Sequence, residues 1–440
     1  MKDWTNLPQH YDDSRKVYAG IIAMDFIRNK KTRYLTFCIS AFFFSLNVHA
    51  QETGIANNNL IPIKDIGDIL TSVFHKKNDT TIKAKKSSGI AILPSIGYNP
   101  SFGFVFGAKL SAIKQFGKDK NTDLSAFGLE AIYTSRGIIT GQARHNVFTN
   151  SNKWNFQGNW QLSKFLISDY GIGTGNKNYF TKGDSADLIR FIYIRLSEKV
   201  YRQVGQHLFI GTGVSFDIRY NINDERLKSS ITSPHLRYSL RNGFDPEKYS
   251  ANGFFISLQY NTREHPIRSY GGVYADMSLR FNQKWMGSTK NAIQLIYDLR
   301  KYWSLSKKNP EHVFAIWHWA SYKLSGSLPY IEMPATAYDT YARSGRAYTM
   351  SRFKGPSYAC FETEYRFPIT KNKLVSGVAF MNLQTASDDL NKKVFQYWEP
   401  AGGGGLRILF KKQSRSTICI DYARGSHRSS GFFFGLNEVF

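Results

Sequence analysis

Glu362, Glu364 and Arg366 recur at every second residue of the stretch Cys360–Pro368, CFETEYRFP, with Phe361, Tyr365 and Phe367 in the opposite phase. A β-strand sends successive side chains to opposite faces, so one face carries three charges and the other is aromatic. Just upstream lies Arg352-Phe353-Lys354-Gly355. A loop turning at Gly355 could fold back and set Arg352 against Glu362 or Glu364, where a guanidinium and a carboxylate form paired, charge-assisted hydrogen bonds. Such chemistry makes a latch and breaks no covalent bond. Motifs for catalysis are missing: the sequence has no G-x-S-x-G, H-E-x-x-H or C-x-x-C. Gly171–Asn176, GIGTGN, has the composition of a phosphate loop but no βαβ context. His318, between Trp317 and Trp319, reads as a histidine on the polar side of its strand. No cofactor and no metal are implied.

The elements that must hold these charges are read from period-two alternation. Phe102, Phe104, Phe106, Ala108 and Leu110 alternate with Gly103, Val105, Gly107, Lys109 and Ser111, and Trp154, Phe156, Trp160 and Leu162 alternate with polar residues. Comparable segments begin near residues 91, 102, 124, 138, 154, 189, 207, 253, 272, 292, 312, 357, 374, 403, 416 and 431, which is sixteen in all. Each runs about 9–12 residues, the span of a tilted membrane strand. The long connections 165–188, 221–252, 325–356 and 383–402 fall at one end, and short turns such as 149–153, 202–206 and 369–373 at the other. Outer-membrane barrels sort their loops in this way, whereas a soluble sandwich has no reason to. The fold class is therefore all-β, a 16-stranded antiparallel transmembrane β-barrel over residues 89–440, its aromatic face toward lipid and its charged face toward a polar lumen. Mean hydropathy of −0.37 together with 15% aromatic residues fits half-polar membrane strands better than membrane helices.

Ahead of the barrel, basic residues Arg28 to Arg33 precede the apolar run Tyr34–Val48, which ends in Val48-His49-Ala50. This is the form of a secretory signal peptide, too short to span a membrane. Residues 1–50 are read as an N-terminal extension and cleaved signal, with Met24 the expected start of translation. Residues 51–88 are read as a periplasmic linker, or a short plug helix formed by Ile66, Ile69, Leu70, Val73 and Phe74. Cys360 and Cys419, in phase with inward-facing acids on strands three apart, are expected as free thiols. The net charge of +25 becomes +22 once residues 1–50, with seven Lys/Arg and four Asp/Glu, are removed. No nucleic-acid motif accompanies that charge, so it is assigned to turns, loops, a lumen and contacts with lipopolysaccharide phosphates.

Arg352 to Pro368, Phe380-Met381-Asn382, Gly403-Gly404-Gly405-Leu406-Arg407 and the terminal Phe440 together resemble the bacterial surface antigen family of the BamA/TamA superfamily over about residues 90–440. In that family the sixth outside loop docks inside a sixteen-stranded barrel through an Arg-Gly-aromatic signature. The resemblance implies that Arg352 is the docking arginine, with Phe353, Lys354 and Gly355 completing the motif. It also implies that Glu364 belongs to the acidic wall, to which Glu362 and Asp421 are added as lumen partners. Two departures stand out: Arg352 and Gly355 are separated by Phe353 and Lys354, and Asn382 stands where many relatives have Asp. Residues 51–88 leave no room for a periplasmic POTRA domain. The function expected is help in inserting or translocating outer-membrane or surface molecules, with outer-membrane proteins or lipoproteins as clients. The route would be a weak seam marked by Pro94, Gly97 and Phe440. The alternative is a passive pore for small anionic solutes. The barrel is expected to be monomeric.

Overall fold

The computed structural model describes residues 62–74, 89–99, 101–119, 122–175, 186–224, 233–388, 390 and 393–440. The expected signal peptide, the expected start at Met24 and most of residues 51–88 lie outside them. Eighteen strand segments form one antiparallel sheet. Two pairs of them are halves of single strands. Gly89–Pro94 and Gly97–Asn99 both pair with the next strand, and Tyr249–Ser250 and Gly253–Asn261 both pair with the preceding one. Sixteen strands remain. They are β1 (Gly89–Pro94 with Gly97–Asn99), β2 (Gly103–Gln115), β3 (Leu124–Thr134), β4 (Ile139–Phe148), β5 (Trp154–Asp169), β6 (Asp187–Gly205), β7 (Leu208–Asp224) and β8 (Tyr249–Ser250 with Gly253–Asn261). They continue as β9 (Gly272–Asn282), β10 (Ala292–Ser304), β11 (Val313–Gly326), β12 (Ser357–Pro368), β13 (Val375–Ala386), β14 (Glu399–Lys411), β15 (Ser416–Gly425) and β16 (Ser430–Leu436). The starts fall within a few residues of those read from alternation. The sheet nearly closes into a barrel, with β16 alongside the Gly97–Asn99 half of β1.

Alternation sorts the wall as expected. Phe104, Leu129, Leu162, Ile210 and Met277 are exposed on the outer face. On the inner face Lys109 lies opposite Glu130, Glu130 opposite Gln142, and Gln142 opposite Gln161. His318 is reversed from its expected side. Trp317 pairs with Glu362 and His318 with Phe361, so the indole faces inward and the imidazole outward, stacked on Phe361 with ring centroids 3.6 Å apart. The lumen accepts Trp317 and Trp319 because it is filled: Trp317 stacks on Phe440 at 5.3 Å and Trp319 meets Tyr358 at 5.6 Å. Phe440 is likewise displaced from the seam expected of it. β16 ends at Leu436, Asn437 takes a positive φ of 69°, and the chain turns inward so that Glu438 and Phe440 are buried. Glu438 lies inside the barrel for the same reason.

The segment before the barrel contains a helix, α1 (Ile66–Phe74). Asp65 and Asp68 close its start with reciprocal hydrogen bonds to each other's backbone N–H, at 2.9 and 3.0 Å. Lys412, in the turn between β14 and β15, donates from its backbone to Asp65 and from Nζ to Asp68, both at 3.0 Å. The helix is thus tied to the end of the barrel that carries the short turns.

The sidedness is open to direct measurement. In single-tryptophan variants, Trp160 (46% exposed) should be quenched strongly by brominated lipid, and Trp317 (1% exposed) hardly at all. Equal quenching of the two would refute the inward assignment of Trp317.

Candidate functional site

The connection between β11 and β12, residues 327–356, is the sixth outside loop and folds into the lumen. Leu328, Tyr330, Ile331, Met333, Ala335, Thr336, Ser351 and Phe353 are all buried. A lone antiparallel bridge between Ala335 and Lys354 pinches its base. So much buried backbone must find partners. Thr336 and Gly355 donate to Phe353 and Pro334 across the pinch, at 2.9 and 3.1 Å.

Arg346, near the loop tip, reaches the wall. Its Nε donates to Glu362 at 2.9 Å and its Nη1 to Asp421 at 3.2 Å, while Nη2 bridges Glu362 and Glu364. The guanidinium lies 3.4 Å from the centroid of the Phe380 ring, and Asn382 donates to the Arg346 carbonyl at 3.0 Å. Around this arginine the wall continues the same pairing. Arg366 donates to Glu364 at 2.6 Å, Arg407 bridges Asp421 and Glu438, and Arg268 lies 3.2 Å from Glu438. Arg366 also donates to the Phe440 carbonyl at 2.7 Å. Four arginines thus face four carboxylates, all buried. Matching in number matters, since a buried charge without a partner costs several kcal/mol.

The three acids named from sequence are therefore brought together, but the arginine they meet is Arg346 rather than Arg352. Arg352 is buried elsewhere, its guanidinium 4.1 Å above the Tyr170 ring. Lys354 pairs with Asp169 at 3.0 Å, in a pocket where Tyr330 also donates to Asp169. Gly355 is needed for close approach, because a Cβ there would lie 2.0 Å from the Ser387 carbonyl. The quartet Arg352–Gly355 thus grips the third and seventh outside loops, through Tyr170, Asp169 and Ser387. Of the stretch Gly171–Asn176, whose last residue lies outside the described ones, Gly173 donates to the Lys354 carbonyl at 2.6 Å and Thr174 to that of Ala386. A signal for Arg346 was present in Gly345-Arg346-Ala347-Tyr348, which holds Gly, Arg and an aromatic in altered order. Gly345 has a φ of +78°, and a Cβ on it would meet Gln384 at 2.5 Å.

The glycines of β14 have a matching role. A Cβ on Gly405 would lie 1.9 Å from Asp421 Oδ1, and one on Gly403 would lie 2.7 Å from the Phe380 ring. The wall is thinned where the acid and the ring under Arg346 must lie. Pro94 ends the first half of β1, opposite Ala108, and Gly97 opens the second half beside Phe434. Cys360 and Cys419 are free and buried.

An Omp85 superfamily domain matches residues 106–394, well over half of the chain. The chain belongs to the Omp85 superfamily. Among solved structures, BamA from Haemophilus ducreyi lacking POTRA domains 1–3 superposes with a TM-score of 0.54 at 12% identity, over 80% of this chain and 70% of that one. CdiB from Escherichia coli superposes at 0.50 and 8% identity, over 81% of this chain and 63% of that one, less than two thirds of its length. No curated protein matches in sequence. These likenesses agree with a BamA/TamA-type barrel, and family and barrel together point to the outer membrane.

Two measurements test the site. Arg346→Ala leaves Glu362 without its arginine and takes one of two from Glu364 and Asp421, and should cost about 3–5 kcal/mol, exposing the loop to trypsin at Arg343. Arg352→Ala leaves the three carboxylates paired with Arg346 and should leave the loop tip as protease-resistant as in the parent. Equal protease resistance in the Arg346 variant and the parent would remove the network as the anchor. The second concerns His265, in the turn between β8 and β9. Its Nδ1 accepts from the backbone N–H of Ile267 and Arg268, both at 3.2 Å, and burial, aided by the Arg415 charge, pushes its pKa down to about 4. The unfolded chain takes up a proton near 6.5 and the folded one only near 4, so stability falls as pH drops through that window. About 2 kcal/mol should be lost by pH 5. His265→Gln should flatten the pH dependence of the unfolding midpoint, and an unchanged slope would rule the histidine out.

Proposed function

We propose that this barrel assists the insertion or translocation of other outer-membrane or surface molecules, using the β1–β16 seam as a lateral opening and the sixth loop as an internal brace. Superfamily membership supports a role of this general kind. The observation that carries the seam is its shortness. β5 and β6 pair continuously from Trp154–Arg202 to Asp169–Asp187, whereas β16 lies beside β1 only along the short half Gly97–Asn99. The first strand breaks at Ser95 and Ile96, directly after Pro94, which has no N–H to donate. Few hydrogen bonds need then be given up for the seam to part.

Clients of matching chemistry are outer-membrane proteins or lipoproteins, whose own unpaired strands could add to an opened edge. The Arg352–Gly355 quartet and the Glu362, Glu364 and Asp421 wall would hold the loop while the seam works. Basic residues in the outer loops would meet lipopolysaccharide phosphates. The barrel is proposed to act as a monomer and without a cofactor. A passive pore for anions is favoured by one observation, the number of arginines and lysines lining the lumen, but the docked loop occupies much of that path.

A covalent lock separates the two readings. An ideal Cβ on Gly97 would lie 3.8 Å from Phe434 Cβ, about 3.8 Å being the usual span across a disulfide. Gly97→Cys with Phe434→Cys should crosslink on oxidation, abolish insertion of a client barrel into liposomes, and recover with reductant. Full insertion by the crosslinked protein would end the seam proposal. Unchanged solute flux beside it would favour the pore.

A further inference from the structure

Inside the barrel, between the sixth loop and the wall, lies a cavity of about 480 Å³ that reaches the inner face of β1 to β5 on one side. Arg346 and Asp421, already paired with each other, line one side of it. Lys109 and Arg144 project into it from β2 and β4, and Arg343 from the loop. Neither Lys109 nor Arg144 has a hydrogen-bond or ion-pair partner among the described residues, and the Nε of Arg144 is buried with none. Arg343 is spent on backbone carbonyls, donating to Leu436 at 2.9 Å and to Glu438. Arg144 and Arg343 share the Tyr341 ring, at 5.0 and 5.7 Å, in place of a carboxylate. The acids nearby are already engaged. Glu130 accepts from Ser95 at 3.2 Å, and Asp339 from the backbone of Tyr341, Arg343 and Ser344.

Three cations gathered in a half-buried cavity repel one another, and Glu130 and Asp339, the acids beside them, form no ion pair with any of the three among the described residues, unlike the paired Arg346 network. A bound anion would supply it. The other side of the cavity is apolar and reaches the seam, where Ile96 (72% exposed) and Phe434 (42% exposed) line it while also facing the lipid side. We infer that the lumen holds an anion site at Lys109, Arg144 and Arg343, shaped for a phosphate- or carboxylate-bearing headgroup whose apolar portion lies toward the β1–β16 seam. The size suits a small ligand or a headgroup. The site goes beyond the insertion role and does not require it, since a barrel with a closed seam could take a free anion from the lumen.

The test uses the purified full chain in a zwitterionic detergent. Native mass spectrometry compares retention of phosphatidylglycerol with phosphatidylcholine, and calorimetry follows inorganic phosphate. Phosphatidylglycerol should be retained in preference, and Lys109→Gln with Arg144→Gln should weaken binding about tenfold or more, as expected for loss of charge-assisted hydrogen bonds. Lys307→Gln, in an exposed turn, should leave binding unchanged. Should the double variant fail to fold, protection of Lys109 from amine acetylation in the unaltered protein gives the same answer. Protection by phosphatidylglycerol alone identifies a membrane lipid as the source. Protection by inorganic phosphate as well identifies a general anion site open to the lumen. Protection by neither, or an equal loss in the Lys307 variant, overturns the inference.

Discussion

The arrangement depends on one constraint: Arg346 is buried in the lumen, so carboxylates must surround it. Glu362, Glu364 and Asp421 do so from two different strands. Those carboxylates are in turn shared with Arg366 and Arg407, and through them with Glu438 and the inward-turned end of the chain. A loop of about thirty residues, a stretch of wall and the segment after β16 are thereby joined by one neutral set of charges. Neutral buried networks give modest net stability, but each member becomes expensive to remove. A barrel built in this way should keep its loop in one place while its weak edge remains free to move.

The wall pays for this locally with glycine. Gly403 and Gly405 have no side chains because Phe380 and Asp421 occupy the space beside them. Gly345 and Gly355 have the same purpose at the loop, one through its positive φ and close contact with Gln384, the other through its contact with Ser387. On the far side of the lumen the loop is fixed differently, by Lys354 and Tyr330 on Asp169 and by Arg219 on Glu332. The base and the tip of the loop thus rest on separate charge clusters, and the cation-rich cavity lies between its tip and the first strands.

Much of this was legible in the amino-acid order. The inside-outside pattern of each strand is local, so alternation located all sixteen strands and the sixth loop, and it placed Glu362, Glu364 and Asp421 on the lumen face. Which arginine meets them is not a local property. Arg346 and Arg352 both sit in the loop beside glycine and aromatic residues, and the choice depends on how the whole loop packs. The resemblance favoured an arginine followed by its glycine, whereas this chain places Gly345 ahead of Arg346. His318 was misplaced for a related reason. Two indoles were assigned to lipid because a polar lumen was assumed, but the docked loop and Phe440 make that part of the lumen apolar. Phe440 was read as part of the seam, but its strand ends at Leu436, where Asn437 turns the chain inward.

Single-channel conductance in a planar bilayer, with the parent protein beside Arg346→Ala and Arg352→Ala, tests the central claim most directly. If the carboxylate-bound Arg346 holds the loop in the lumen, the parent should give small, flickering currents. Arg346→Ala should raise them clearly, and Arg352→Ala should raise them much less. Large, steady currents in the parent that neither substitution changes would contradict the claim, because the loop would then not be what closes the lumen.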